Sequence, residues 1–342
     1  MHNIYITPAV VSRLLLVAYL FLALAVPRIV EADPISVAVI YPRVAPPYNA
    51  VLSQIISGIN QQAEINVQEY PLNDEYDSAV LRKRLEERNT EVIVSLGRRG
   101  TEAVQALGWK KPVIVGAASL TPSLLNIYGD SLSAIRLTPD PDLLFAKLRE
   151  FSRKTKRIIV VTNTPQGTAE AKGSGSAGVT RAAVMEETWL RDAARESAKK
   201  YDFELLVYPA ADLRTVANLY RKIIDGMQPE TDALWLPPDD ESIDIRGILP
   251  AILQGAWDRQ IIVFCSNPAY AKRGALFALY PNNAKTGQRL AALAIDAVKN
   301  GRARILPTQE VLTAVNMRTA EHLGLRELAQ KQQYFDAVYP SP

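Results

Sequence analysis

Short apolar runs recur along this chain at regular intervals. They are ISVAVIY (35–41), INVQEY (65–70), VIVSL (92–96) and VIVG (113–116), then RIIVVT (157–162), FELLVY (203–208), ALWL (233–236) and IIVFC (261–265). Most are continuously apolar rather than alternating, as strands buried on both faces must be. Helical periodicity fills the intervals, for example at 48–62, 77–88, 187–200 and 283–299. Repeated β-α-β with doubly buried strands predicts parallel sheets covered by helices. The expected class is therefore α/β: two doubly wound parallel-sheet lobes joined by a hinge.

Length supports two lobes, because 342 residues exceed what one core usually fills. The two strand sets are separated by LSAIRLTPDPDLLF (132–145), where Pro139 and Pro141 are expected to interrupt any regular element. That places the first lobe crossing near 134–140. The boundaries expected are 33–135 plus 281–307 for the N-terminal lobe, 136–280 plus 308–330 for the C-terminal lobe, and 331–342 as a tail. QGTAEAKGSGSAGVT (166–180) fits neither pattern and reads as a flexible loop, either a lid or a plain surface insertion.

Residues 1–32 differ from the rest. Arg13 precedes an apolar run from Leu14 to Val26, and Val30 and Ala32 occupy the small-residue positions before Asp33. This reads as a secretory signal peptide cut after Ala32, leaving a periplasmic protein. The alternative is a retained anchor helix. The run is about 13 residues, short of the ~20 that span a bilayer.

Several function classes lose their chemistry here. A net charge of +3, evenly spread, does not argue for nucleic acid. There are two histidines, His2 in the leader and His322 near the C-terminus, so a Ser-His-Asp arrangement has no histidine for the cleft. A His/Cys zinc site lacks ligands as well. Cys265 is the only cysteine and sits inside an apolar run, where it reads as a buried, inert thiol. No catalytic residue, metal or cofactor is therefore expected. The protein reads as a non-enzyme.

The last hundred residues carry a resemblance. Pro237, Asp239 and Asp240 follow a strand; Lys272, Arg273, Gly274 and Ala275 follow the next; Gly287 opens a long helix; and Asn316, Ala320, Leu323 and Gly324 close the pattern. This order is similar to the ABC-transporter substrate-binding family that includes tryptophan- and tyrosine-binding lipoproteins. The resemblance covers roughly 33–325. It implies the type I periplasmic binding protein fold and a monomer that captures a small ligand between its lobes, which the Arg98 and Asp239 positions described below would make anionic or zwitterionic. The ligand would pass to ABC permease subunits, or its capture would be reported to a membrane sensor protein.

Ligands of open parallel sheets bind beyond the carboxyl ends of the strands. The candidates there are Tyr41 and Arg43 after the first strand, Ser119 after the fourth, Asn163 and Asp239 with Asp240 in the second lobe, then Ser266, Asn267 and Tyr280. The stretch VIVSLGRRGTEAVQAL (92–107) adds Gly97, Arg98 and Thr101. Thr101 is expected to cap a helix whose free N–H groups, with the Arg98 guanidinium beside them, suit an anionic oxygen. The glycines there would permit close backbone approach. Asp239 and Asp240 read either as acceptors for a ligand amine or as the first-turn acids of the next helix.

Overall fold

The structure is a computed structural model that describes residues 33–46, 48–162, 181–210, 213–237 and 247–340. The leader, the Gly/Ser/Ala-rich stretch and the Asp239–Asp240 pair lie outside these residues.

The first lobe starts β1 (Ile35–Pro42), α1 (Tyr48–Ile59), β2 (Ile65–Leu72), α2 (Ser78–Glu87), β3 (Val92–Leu96), α3 (Gly97–Leu107), β4 (Val113–Gly116), α4 (Pro122–Tyr128) and β5 (Leu132–Pro139). The chain then builds α5 (Pro141–Phe151), β6 (Arg157–Thr162), α6 (Arg181–Lys200), β7 (Glu204–Pro209), α7 (Leu213–Gly226), β8 (Asp232–Leu236), α8 (Ile248–Asp258), β9 (Ile262–Cys265), α9 (Pro268–Arg273) and β10 (Phe277–Pro281). It returns through α10 (Asn283–Asn300) and β11 (Ile305–Thr308), and ends with β12 (Val311–Asn316), α11 (Met317–His322) and β13 (Ala337–Tyr339).

Two sheets result. The first has six strands in the order β11-β5-β4-β3-β1-β2, all parallel. The second has seven in the order β13-β12-β10-β9-β8-β6-β7, parallel except for the β10–β12 pair. Ala337–Tyr339, in the stretch read as a tail, is the edge strand of the second sheet.

The continuous apolar runs are explained by what covers them. Val37 and Val39 point into a core shared with α1 and α10, whereas Ala38 and Ile40 point into the opposite core with α2, α3 and α4. In the second lobe Leu234 and Leu236 face α7 and α8, while Ala233 and Trp235 face α5 and α6. Trp235 there meets Phe145 edge-on at 5.4 Å between ring centroids and stacks on Phe264 at 6.5 Å, arrangements that aromatic quadrupoles favour. Each sheet is thus doubly wound.

The first crossing differs from the expectation. Residues 132–139 form a strand rather than an interrupted segment. Pro139 is its last residue and Pro141 the first of α5, so each proline stands where its missing N–H costs nothing. Asp140 between them caps α5, its side chain accepting from the Asp142 amide at 3.0 Å. The other two crossings run from β10 to α10 and from β11 to β12. Backbone hydrogen bonds lace the three together: the Asp140 amide donates to the Thr308 carbonyl at 3.0 Å, and that of Asn282 to the Glu310 carbonyl at 2.8 Å.

Candidate functional site

The carboxyl ends of both sheets face one cleft of about 830 Å³. The first lobe supplies Tyr48, Val51 and Ile55 from α1, Ala117 and Ser119 after β4, Ile135, Arg136 and Leu137 from β5, and Thr308 from β11. The start of α10, which packs on the first lobe, adds Asn283 and Thr286. The second lobe supplies Pro237 after β8, Cys265 through Pro268 after β9, Tyr270 from α9, and Tyr280 with Pro281 from β10.

Local sequence sets these positions. Ala117 adopts φ 51°, a left-handed turn unusual for a residue with a Cβ. It redirects the chain after β4 so that Ser119 reaches the cleft. Asn267 caps α9, its side chain accepting from the Ala269 amide at 2.9 Å, which fixes the Ser266–Pro268 turn on the wall. Asn282 caps α10 in the same way through the Lys285 amide at 3.2 Å.

Two hydroxyls in this wall have no protein partner among the described residues: Ser266 Oγ from the second lobe and Thr286 Oγ1 from the first. Thr286 is 8% exposed. A buried hydroxyl without a partner costs free energy that a ligand atom could recover. Among the described lining residues Arg136 is the charged one. Burial pushes the Cys265 thiol up to about 12. It also raises Tyr280, aided by the nearby charges of Asp336 and Tyr339. The cleft wall therefore presents hydroxyls, amides, one guanidinium and apolar surface, and its thiol is held protonated.

Of the residues expected from strand ends, Ser119, Ser266, Asn267 and Tyr280 come together on this cleft. Tyr41 and Arg43 line a separate hollow of about 440 Å³ with Asn49 and Pro71. The Tyr41 hydroxyl donates to Glu69 at 2.7 Å. Burial, then this bond, pushes its pKa up to about 12. Asn163, Asp239 and Asp240 lie outside the described residues.

The Gly-Arg-Arg-Gly turn corrects the sequence reading. The helix opens at Gly97, with Leu96 at the cap position, so Thr101 caps nothing. Its hydroxyl donates back to the Gly97 carbonyl at 3.0 Å and lies 3.1 Å from the buried Ser95 hydroxyl. Gly100 is explained by packing: a Cβ there would sit 2.6 Å from the Ile40 carbonyl oxygen, so α3 lies directly on β1. The Arg98 side chain is 91% exposed and pairs with Glu102 one turn on at 3.4 Å. Arg99 pairs with Asp74. Gly97, Arg98 and Thr101 do not line the cleft.

Sequence reasoning missed Arg136, Thr308, Tyr270 and Thr286. Reading 132–145 as a broken crossing hid Arg136. The Asn282 cap signal was available for Thr286, which falls in the first turn that such a cap starts. His322 is half-buried, its ring stacked on Trp257 at 3.7 Å between centroids, remote from the cleft. Among the described residues no group of three or more His, Cys, Asp or Glu is placed to hold a metal, and no helix is long and apolar enough to cross a membrane.

No family model and no curated protein matches the sequence. Solved structures do match the fold. The ligand-free, open structure of CD0873, a substrate binding protein with adhesive properties from Clostridium difficile, aligns with a TM-score of 0.58 at 16% identity, over 84% of this chain and 94% of that one. An ABC domain in complex with L-Trp from Streptococcus pneumonia gives 0.49 at 12% identity, over 88% and 99%. A periplasmic ribose ABC transporter protein from Conexibacter woesei gives 0.47 at 13% identity, over 89% and 98%. At such identities the likeness is one of fold, and the chain has the two-lobed α/β fold of the type I periplasmic binding proteins.

Proposed function

We propose that this protein is an exported solute-binding protein that captures a small molecule between its lobes by hinge closure. The observation that carries the reading is a single cleft walled by both lobes, with a partnerless hydroxyl on each side, Ser266 and Thr286. A ligand touching both walls stabilises the arrangement in which it is enclosed. Arg136 in the wall supports a ligand with an anionic group, a carboxylate or a zwitterion. Delivery to an ABC permease fits the fold and the leader-like first 32 residues.

The test is a thermal-shift screen against amino acids, small carboxylates and nucleosides. A ligand at 100-fold over its Kd should add about 2.7 kcal/mol of stability. Hits should lose their effect in a variant that fills the cleft, such as Ser119→Trp. No shift across all three classes, or a shift that survives Ser119→Trp, would count against the reading.

A further inference from the structure

The lobes also meet through a side-chain contact beside the crossings. Arg136 projects from β5 of the first sheet, and its guanidinium lies over the indole of Trp189, 4.6 Å from the ring centroid. Trp189 belongs to α6, a second-lobe helix whose Leu190, Ala194 and Ala198 pack on the core beneath β6 and β8. The contact therefore joins a cleft-wall strand of one lobe to a peripheral helix of the other. The Arg136 backbone is fixed on its own side, because its carbonyl accepts from the Thr308 hydroxyl at 2.5 Å.

Geometry makes this contact sensitive to lobe orientation. Arg136 is on the first sheet and Trp189 on a helix of the other lobe, and the stack weakens once the cation leaves the ring face beyond about 6 Å. Rotation about the crossings moves α6 relative to β5, so the stack forms in some lobe arrangements and breaks in others. We infer that Arg136 and Trp189 form a clasp that biases the empty protein toward the arrangement in which the lobes touch. Trp189, which does not line the cleft, is then a positioning residue: it holds a wall residue in place and sets how much of the population is closed before ligand arrives. Interactions of this type shift such a ratio by about 2-fold when exposed and up to about 30-fold when shielded from water.

The inference shares with the proposed function only the premise that the lobes move, and its test needs no ligand. Nitroxide labels are placed on Lys83→Cys in α2 and Lys154→Cys after α5, both surface side chains, at 78% and 71% exposure. Cys265 is buried and stays unlabelled. Pulsed dipolar spectroscopy on the full chain then reads the interlobe distance distribution. Trp189→Leu and Arg136→Gln should each redistribute it in the same direction. Trp189→Phe, which keeps a ring, should change it less. Trp189→Leu in the Arg136→Gln background should add nothing further. An unchanged distribution in Arg136→Gln, or effects that add in the double variant, would overturn the clasp. So would a melting-temperature loss in Trp189→Leu without redistribution, because Trp189 would then only pack α6. Should Trp189→Leu fail to fold, Arg136→Gln and Trp189→Phe still decide it. A failed ligand screen alongside a positive redistribution would sink the binding reading and leave the clasp standing.

Discussion

The backbone of Gly287 lies against the carbonyl oxygen of Ile55, so close that a Cβ added to the glycine would sit 2.0 Å from that oxygen. The relationship is reciprocal along the same helix pair: a Cβ on Gly58 would sit 1.9 Å from the Ala284 carbonyl oxygen. α1 and α10 touch backbone to backbone, and the contact holds Ile55 and Thr286 on the cleft wall.

Gly287→Ala should therefore destabilise, against the intrinsic preference of a helix for alanine, which favours the change by about 1 kcal/mol. The obstructing atom is backbone, so no side-chain rotation relieves it and the helices must separate. Overpacking of this kind costs about 1–3 kcal/mol net. Thermal unfolding of the empty protein checks it. A raised melting temperature would mean that the helices are not in backbone contact.

Asp232 and Arg157 form a paired fork at the opposite end of the second sheet, with bonds of 2.7 and 2.6 Å from the Arg157 Nε and a terminal nitrogen. Asp232 is 1% exposed and also accepts from the Gln228 amide at 2.8 Å. The pair joins β6 to β8 far from the cleft. Removing the guanidinium leaves a buried carboxylate with amide and hydroxyl contacts only, so Arg157→Ala should cost about 3 kcal/mol. Denaturant unfolding should show this loss, while affinity for any cleft ligand stays the same. A loss under about 0.5 kcal/mol would place the pair among ordinary surface ion pairs.

Cys265 makes a pH prediction. Burial raises its pKa from 9.0 to about 12, so the folded state favours the protonated thiol. The unfolded thiol ionises first. This contribution is thus complete below about pH 9 and is lost as pH rises toward 12, by up to about 1.4 kcal/mol per pH unit. Tyr41, raised from 10.0 to about 12, acts in the same direction over the upper part of that window. Stability measured from pH 8 to 11 should fall more gently in Cys265→Ala than in the parent protein. Parallel slopes would show that the thiol is solvated.

How much of this was legible in the sequence depended on what interrupts each run. β3 and β8 read cleanly because every residue of Val92–Leu96 and Asp232–Leu236 is buried, and all but two of them are apolar. β5 did not, because Arg136 and Thr138 dilute its apolar character and its flanking prolines resemble breakers. The prolines in fact stand at a strand end and a helix start, and single-sequence pattern does not separate these positions from a loop. The cleft residues that follow strand ends directly, Ser119, Ser266 and Asn267, were legible from topology alone. Arg98 and Thr101 also follow a strand end. They miss the cleft because the chain enters α3 at once, turning Arg98 to solvent and Thr101 back onto Ser95. The direction of a side chain within a first helical turn is a tertiary property, and chain order does not encode it.

Thr286 and Arg98 separate a cleft residue, whose loss should move stability and affinity in opposite directions, from a surface residue, whose loss should move neither. Thr286 Oγ1 is buried without a protein partner. Valine matches threonine in shape and lacks the hydroxyl, and replacing a partnerless polar group with an apolar one of the same shape is neutral or stabilising. Thr286→Val should therefore keep or raise the melting temperature of the empty protein by an amount worth about 0–2 kcal/mol. The same change removes a group that a bound ligand would satisfy, so affinity for the solute found by thermal shift should fall by roughly 2- to 10-fold. Ser266→Ala should behave likewise from the other lobe. Arg98→Ala should move neither quantity by more than about 0.5 kcal/mol, because the side chain is 91% exposed and its i,i+4 pair with Glu102 is of the weakest kind. Calorimetric titration and thermal unfolding on the three variants give both numbers. Stability gained together with affinity lost at Thr286 marks a hydroxyl kept for a ligand. A drop in the stability of the empty Thr286→Val protein would show that the hydroxyl already has a partner in solution, and unchanged affinity would remove it from the binding wall.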